Sequence, residues 1–311
     1  MKPIAVFGAS GFVGSHVVAE LLDRGHPVRA ALRNPDGPAR AWLESALGPR
    51  GTLTLHQADL TDEAAIREAV RGCDGIVMSA GSEAQQPSTI DLMVGAARNT
   101  LNAAHAEGIG AVVFTSSTGS TNPPGGEPDV KREMEHFSDP DQQIAAGKYS
   151  PAAKTLMERE AMALGEAHDI RVSIVMPSMI LGDGFGPPPA YLAFLRRILD
   201  GEVFGGGVPN DSMSLIHVDD LARLHVAALT NPAASGRYFG LVQSWHWQDV
   251  LEALARHVPS YEAPPWPDDR PRARPTQFDP TRRDALGVGL RGIDAIFADV
   301  EAVLRCHGIV P

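Results

Sequence analysis

Gly8, Gly11 and Gly14 are the residues of this chain whose type and spacing most directly imply chemistry. They stand in Gly8-Ala9-Ser10-Gly11-Phe12-Val13-Gly14, after the apolar run Pro3-Ile4-Ala5-Val6-Phe7 and at the head of an amphipathic segment. From Phe12 to Leu22 the spacing sets Val13, Val17, Val18, Leu21 and Leu22 on one helical face. Strand, glycine turn and helix therefore come in order. Glycines allow a tight turn and a close backbone approach to an anion, and the helix N-terminus adds free N–H groups and a partial positive charge. The expected ligand is a dinucleotide pyrophosphate, held by Gly8, Ser10, Gly11, Phe12, Val13 and Gly14. The first gap of this G-x-x-G-x-x-G loop is one residue longer than in the usual fingerprint, so its position at the first strand carries the weight.

Arg33 is the second such residue. It ends the expected strand Val28-Arg29-Ala30-Ala31-Leu32, where an acidic residue would bind the ribose hydroxyls of NAD and an arginine would pair with the extra 2′-phosphate of NADP. NADP is thus the expected cofactor, with NAD the alternative. Arg29 shares the face of Arg33 only if the strand stays regular.

These residues need elements to position them, and the chain supplies a regular alternation. Further strands are expected at Leu53-Thr54-Leu55, Ile76-Val77-Met78, Ala111-Val112-Val113-Phe114 and Val172-Ser173-Ile174-Val175-Met176. Helices are expected from Thr61 or Asp62 to Val70, Thr89 to Glu107, Pro151 to Glu166, Tyr191 to Leu199 and Ile293 to Cys306. This rhythm implies an α/β fold with a doubly wound parallel sheet, the Rossmann arrangement. Ligands in such sheets lie at the carboxyl ends of the strands, which adds Asp59, Leu60, Ala80, Gly81, Thr115 to Thr118, Pro177 and Met179 to the expected site. After Pro177 the chain turns rich in glycine and proline, so a smaller C-terminal substrate lobe is expected from residues 181–214 and 241–311. Residues 1–180, rejoined by 215–240, would form the dinucleotide-binding domain.

Five motifs in order give a resemblance. The glycine loop, the Arg33 turn, Phe114-Thr115-Ser116-Ser117, Lys154-Thr155-Leu156-Met157-Glu158 and Ile216-His217-Val218-Asp219-Asp220 together resemble the extended short-chain dehydrogenase/reductases. Val28 to Pro35 and Gly236-Arg237-Tyr238 are most similar to the branch of dihydroflavonol and cinnamoyl-CoA reductases. The resemblance implies that Asp59 and Leu60 bracket the adenine, and that Ser117, a tyrosine and Lys154 form a catalytic triad. In such a triad the phenol moves the substrate proton, the lysine lowers the phenol's pKa and holds the nicotinamide ribose, and the serine binds the substrate oxygen.

The tyrosine is displaced. The pattern Tyr-x-x-x-Lys would set the two side chains about 40° apart on a helix, but that position is Ser150. Tyr149 lies five residues before Lys154, about 140° around. If Ser150 caps the helix and Pro151 starts it, Tyr149 precedes the helix and escapes this rule. Both a displaced proton donor at Tyr149 and a site without the usual acid stay open.

Composition bounds the remaining possibilities. With 27 basic and 38 acidic residues among 311, and no basic stripe, nucleic acid is not an expected partner. Neither a secretory leader nor a membrane span is apparent, and the two cysteines, Cys73 and Cys306, suit a reducing compartment, so a cytoplasmic location is expected. His217, Asp219 and Asp220 lack a second ligand cluster, so no metal is expected, and Asp219 or Asp220 reads as a helix cap. Ser244 reads as the cap of a helix that begins at Trp245, and the arginines from Arg270 to Arg283 read as a solvated loop. Met179 and Phe185 are candidates for the substrate pocket wall. The expected activity is hydride transfer between NADP and a small ketone, aldehyde or alcohol, with a homodimer suggested by the resemblance. The alternatives are an epimerase or dehydratase that uses NAD on a nucleotide sugar, and a dinucleotide-binding protein without redox turnover.

Overall fold

The computed structural model describes residues 1–267 and 269–311. In chain order the elements are β1 (Ile4–Phe7), α1 (Phe12–Asp23), β2 (Val28–Leu32), α2 (Ala39–Leu47), β3 (Leu53–Gln57), α3 (Glu63–Val70), β4 (Gly75–Met78), α4 (Ser88–Ala106) and β5 (Ala111–Thr115). They continue with α5 (Pro140–Ala145), α6 (Tyr149–Ala167), β6 (Arg171–Pro177), β7 (Met179–Leu181), α7 (Tyr191–Leu199), β8 (Ser212–His217) and α8 (Val218–Thr230). The last are β9 (Gly236–Gly240), β10 (Gln243–His246), α9 (Trp247–His257), α10 (Thr281–Asp284) and α11 (Ile293–Cys306).

Seven strands form one parallel sheet in the order β3-β2-β1-β4-β5-β6-β9. Central strands β1 and β4 are buried along their whole length, as apolar strands covered on both faces must be. One face packs Ile66, Met93, Leu101 and Met157 from α3, α4 and α6 against the sheet; the other packs Val17, Leu21, Leu43 and Leu224 from α1, α2 and α8. The strand order reverses between β1 and β4, and a crevice opens there at the carboxyl ends.

The smaller lobe has a three-stranded sheet, β10-β8-β7, with its own core of Leu195, Leu215, Trp247, Leu251, Phe297 and Val300. Leu215, Ile216 and His217 pair within this sheet, and Ile216 also packs into the core of the large sheet, which the chain then covers with α8. No helix among the described residues is long and apolar enough to cross a membrane.

Local chemistry explains several boundaries. Asp62 caps α3 by accepting from the Ala65 N–H. His217, not Asp219 or Asp220, caps α8, because its ring accepts the Asp219 N–H at 3.2 Å and leaves both aspartates in the first turn. His246, not Ser244, caps α9 in the same way, and Trp245 stays in β10. The run from Pro264 to Pro280 crosses the lobe surface, with Asp268 outside the described residues. The arginines from Arg270 to Arg283 do not all face water: in α10, Arg283 is buried and donates to the Leu241 and Val242 carbonyls, and Arg282 donates to the Ser235 carbonyl.

Candidate active site

A cleft of about 630 Å³ lies over the β1–β4 crevice. Gly8, Ser10, Gly11, Arg33, Asp59, Leu60, Ala80 and Gly81 line it, together with Thr61, Ser79, Ser82 and Leu92, which sequence reasoning missed. Thr61 had a signal, since it follows Asp59 in a turn and its N–H and hydroxyl both donate to the Asp59 carboxylate, at 2.8 and 2.6 Å. Those two bonds, aided by the charge of Arg33, hold the Asp59 carboxyl below its usual pKa.

The glycine loop fits a pyrophosphate. Gly8 has φ of +78°, and a Cβ there would sit 2.7 Å from the Ala80 nitrogen. At Gly14 a Cβ would meet the Gly8 carbonyl oxygen at 2.1 Å, so this glycine packs the helix onto the turn instead of facing the cleft. Gly11 occupies the N-cap without a side chain to offer, which leaves the first-turn N–H groups of α1 for an anion. Phe12 leans away from the cleft onto His16 and Tyr191, and Val13 packs into the core beneath.

Arg33 is exposed at the cleft rim. Arg29 is separate from it, because its guanidinium donates to the Ala69 and Arg71 carbonyls at the end of α3.

At the other end of the cleft, half-buried Lys154 donates from Nζ to the Thr115 carbonyl at 3.0 Å, next to Gly81. Burial lowers its pKa, against the opposing charges of Glu83 and Glu158. Ser117 follows β5, and its hydroxyl accepts the Gly119 N–H at 3.2 Å. Its neighbour Ser116 is buried and donates to Glu158, so Ser117 is the serine turned to the open side.

Beneath them lies a buried ion pair that sequence reasoning also missed. Glu158 and Arg237 are 1% and 0% exposed, with Arg237 Nε 2.9 Å from the carboxylate but off-line for a hydrogen bond. Arg237 donates to the Glu133, His136 and Ser120 carbonyls, and Ser120 donates to Glu158 at 2.7 Å. Burial pushes the Glu158 carboxyl up, and Arg237 and the two serines pull it back. Both residues sat in motifs already noted, but which strand faced which helix was not readable from spacing.

A second polar chain crosses the sheet. The fully buried His225 donates from Nδ1 to the Leu221 carbonyl, which makes Nε2 an acceptor for the Thr115 hydroxyl at 2.7 Å; Thr115 in turn meets Ser79 at 3.1 Å. Desolvation holds His225 neutral, with its pKa lowered to about 4.

Several expectations need correction. Helix α6 begins at Tyr149 with Lys148 at its cap, so Ser150 is not the cap and Tyr149 does not precede the helix. The Ser150 N–H is met instead by the Gln85 side chain, at 3.1 Å. Tyr149 is therefore about 140° around the helix from Lys154, on the side of Glu160, which pairs with Arg98 of α4. Pro177 is buried at the end of β6, and Met179 opens β7, where it pairs with Leu215 of β8 and packs against the smaller core. Phe185 lies on the flank of α1 against His16 and under Arg50, in a different cavity.

Among the described residues no group of His, Cys, Asp and Glu has the arrangement to hold a metal ion. The sequence pattern of the NAD dependent epimerase/dehydratase family matches residues 4–239. Cinnamoyl-CoA reductase 2 of Arabidopsis thaliana is 32% identical over 318 residues, covering 100% of this chain and 94% of that protein. Vestitone reductase from alfalfa superposes with a TM-score of 0.84 at 23% identity, over 100% of both chains. The yeast methylglyoxal/isovaleraldehyde reductase Gre2, solved with NADPH, does so with a TM-score of 0.78 at 17% identity, over 99% of this chain and 100% of that one. The chain belongs to the NAD dependent epimerase/dehydratase family and, within it, is an NAD(P)-dependent reductase of the extended short-chain type, in the branch of the cinnamoyl-CoA and dihydroflavonol reductases.

Proposed function

We propose that this protein reduces a small ketone or aldehyde with NADPH as the preferred hydride source. The observation that carries the reading is a single cleft that runs from the glycine loop past Arg33 to Gly81, where Lys154 Nζ stands. When bound, the reduced nicotinamide supplies the hydride.

The chain's own residues supply the rest. First-turn N–H groups of α1 hold the pyrophosphate, and Arg33 offers a fixed guanidinium fork to a 2′-phosphate, a charge-assisted contact that NADH cannot make. Asp59, whose carboxylate accepts from Thr61, stands beside Arg33 on the adenine side. Lys154 retains N–H groups beyond the one given to Thr115, and these suit a ribose hydroxyl and the substrate oxygen. Ser117 adds a hydroxyl to that oxygen.

The direct test is oxidation of NADPH by purified protein across a panel of aldehydes and ketones. Carbonyl-dependent loss of NADPH absorbance is expected, and Arg33→Ala should erase the preference for NADPH over NADH. NADPH binding without any carbonyl-dependent oxidation would instead support dinucleotide binding without turnover, the reading that Ser150 in place of a tyrosine favours.

A further inference from the structure

Every reductase of this kind needs a proton for the oxygen that receives the electron pair, and here the usual phenol position is Ser150. The hydroxyls around Lys154 are largely committed elsewhere. Ser116 and Ser120 donate to Glu158, the Thr115 hydroxyl to His225, and the Thr155 hydroxyl to Gln143 or Pro151. Ser117 is turned to the open side, but an aliphatic hydroxyl is a weak acid and suits hydrogen bonding to the oxygen better than ionising. Tyr149 sits on the wrong side of α6.

Lys154 Nζ is left. It donates one hydrogen bond to the Thr115 carbonyl at the end of β5, two residues before Ser117, and Glu83 and Glu158 act on it only through space. We propose that Lys154 is itself the proton donor of the reduction, with Ser117 holding the substrate oxygen and Tyr149 taking no part. This rests on the reductase reading given above. The step balances: the hydride from the cofactor forms the new C–H bond, the carbonyl π pair moves to oxygen, and that oxygen takes a proton from Nζ. The neutral amine left behind regains a proton from water.

The surroundings favour this use of a lysine. Desolvation on the β5 and β4 side weakens the ammonium's hold on its proton, while Glu83 from the loop after β4 and Glu158 from α6 strengthen it. Glu158 is itself engaged by Arg237 of β9, which leaves less of its charge for Lys154.

Three measurements test the proposal. Tyr149→Phe should keep kcat within twofold of the unaltered protein, and Ser150→Tyr, which restores a phenol four residues before the lysine, should raise it at least tenfold. Competitive acetylation of the apoprotein with acetic anhydride, followed across pH by mass spectrometry with free Nα-acetyl-lysine amide as internal standard, should show Lys154 reaching full reactivity at a lower pH than that standard. An active enzyme silenced more than a hundredfold by Tyr149→Phe, with NADPH binding intact, would overturn the proposal, as would a Lys154 that labels like the free lysine standard. A protein that binds NADPH but reduces no carbonyl would overturn the reductase reading beneath it.

Discussion

At the glycine-loop end of the cleft the charged side chains, Arg33 and Asp59, stand exposed, whereas at the Lys154 end Glu158 and Arg237 are withdrawn from water altogether. The difference teaches what each charge can do. An exposed guanidinium costs the fold little and remains free to meet a phosphate, so it serves choice of ligand. A buried pair has given up its hydration, and its members must keep each other satisfied or the fold suffers. Arg237 gathers three carbonyls and one carboxylate, which ties β9, the turn after β5 and α6 together beneath Ser117 and Lys154.

Breaking the buried end should have the largest effect. Glu158→Ala strands Arg237 and is expected to cost about 3–5 kcal/mol in urea unfolding, and Arg237→Met, which strands the carboxylate and three carbonyls, should cost at least as much. A second effect at this end depends on pH. The imidazole of His225 has its pKa lowered from 6.5 to about 4, so below pH 6.5 the unfolded chain binds a proton that the folded chain refuses. Stability from this group is therefore full above pH 6.5 and falls as the pH drops to about 4, by roughly 3 kcal/mol. His225→Asn should flatten that slope in unfolding curves taken across the range.

The open end should respond more gently in stability and more sharply in binding. Gly14→Ala forces a Cβ onto the Gly8 carbonyl and should cost about 1–3 kcal/mol, with weaker binding of NADPH and NADH alike. Arg33→Ala should change unfolding by no more than about 0.5 kcal/mol. The same change should weaken NADPH by about 1.5–3 kcal/mol in titration calorimetry and leave NADH as it was. A large stability loss at Arg33, or none at Glu158, would dissolve the contrast between the two ends.

The same contrast governs what was legible in the sequence. The glycine loop, Arg33 and the post-strand pairs at Asp59 and Ala80 sit where local order alone puts them, because strand, turn and helix follow within a few residues. The doubly wound sheet was readable from alternation for the same reason. Glu158 and Arg237 are 79 residues apart in the chain, and only the packing of β9 beside β6 and under α6 brings them together. His217 and His246 were overlooked as caps because histidine is a less common cap than the aspartates and serine beside them. The start of α6 was misread at Ser150-Pro151, since a proline in the first turn loses no helical hydrogen bond and does not fix which residue opens the helix.

A crystal structure with NADP⁺ and a carbonyl substrate analogue measures the decisive arrangement directly. The expected result has the pyrophosphate on the glycine loop, the 2′-phosphate on Arg33, and Lys154 Nζ within hydrogen-bond distance of the analogue's oxygen while the Tyr149 hydroxyl is not. A cofactor bound outside this cleft, or a Tyr149 hydroxyl in contact with that oxygen, would contradict it.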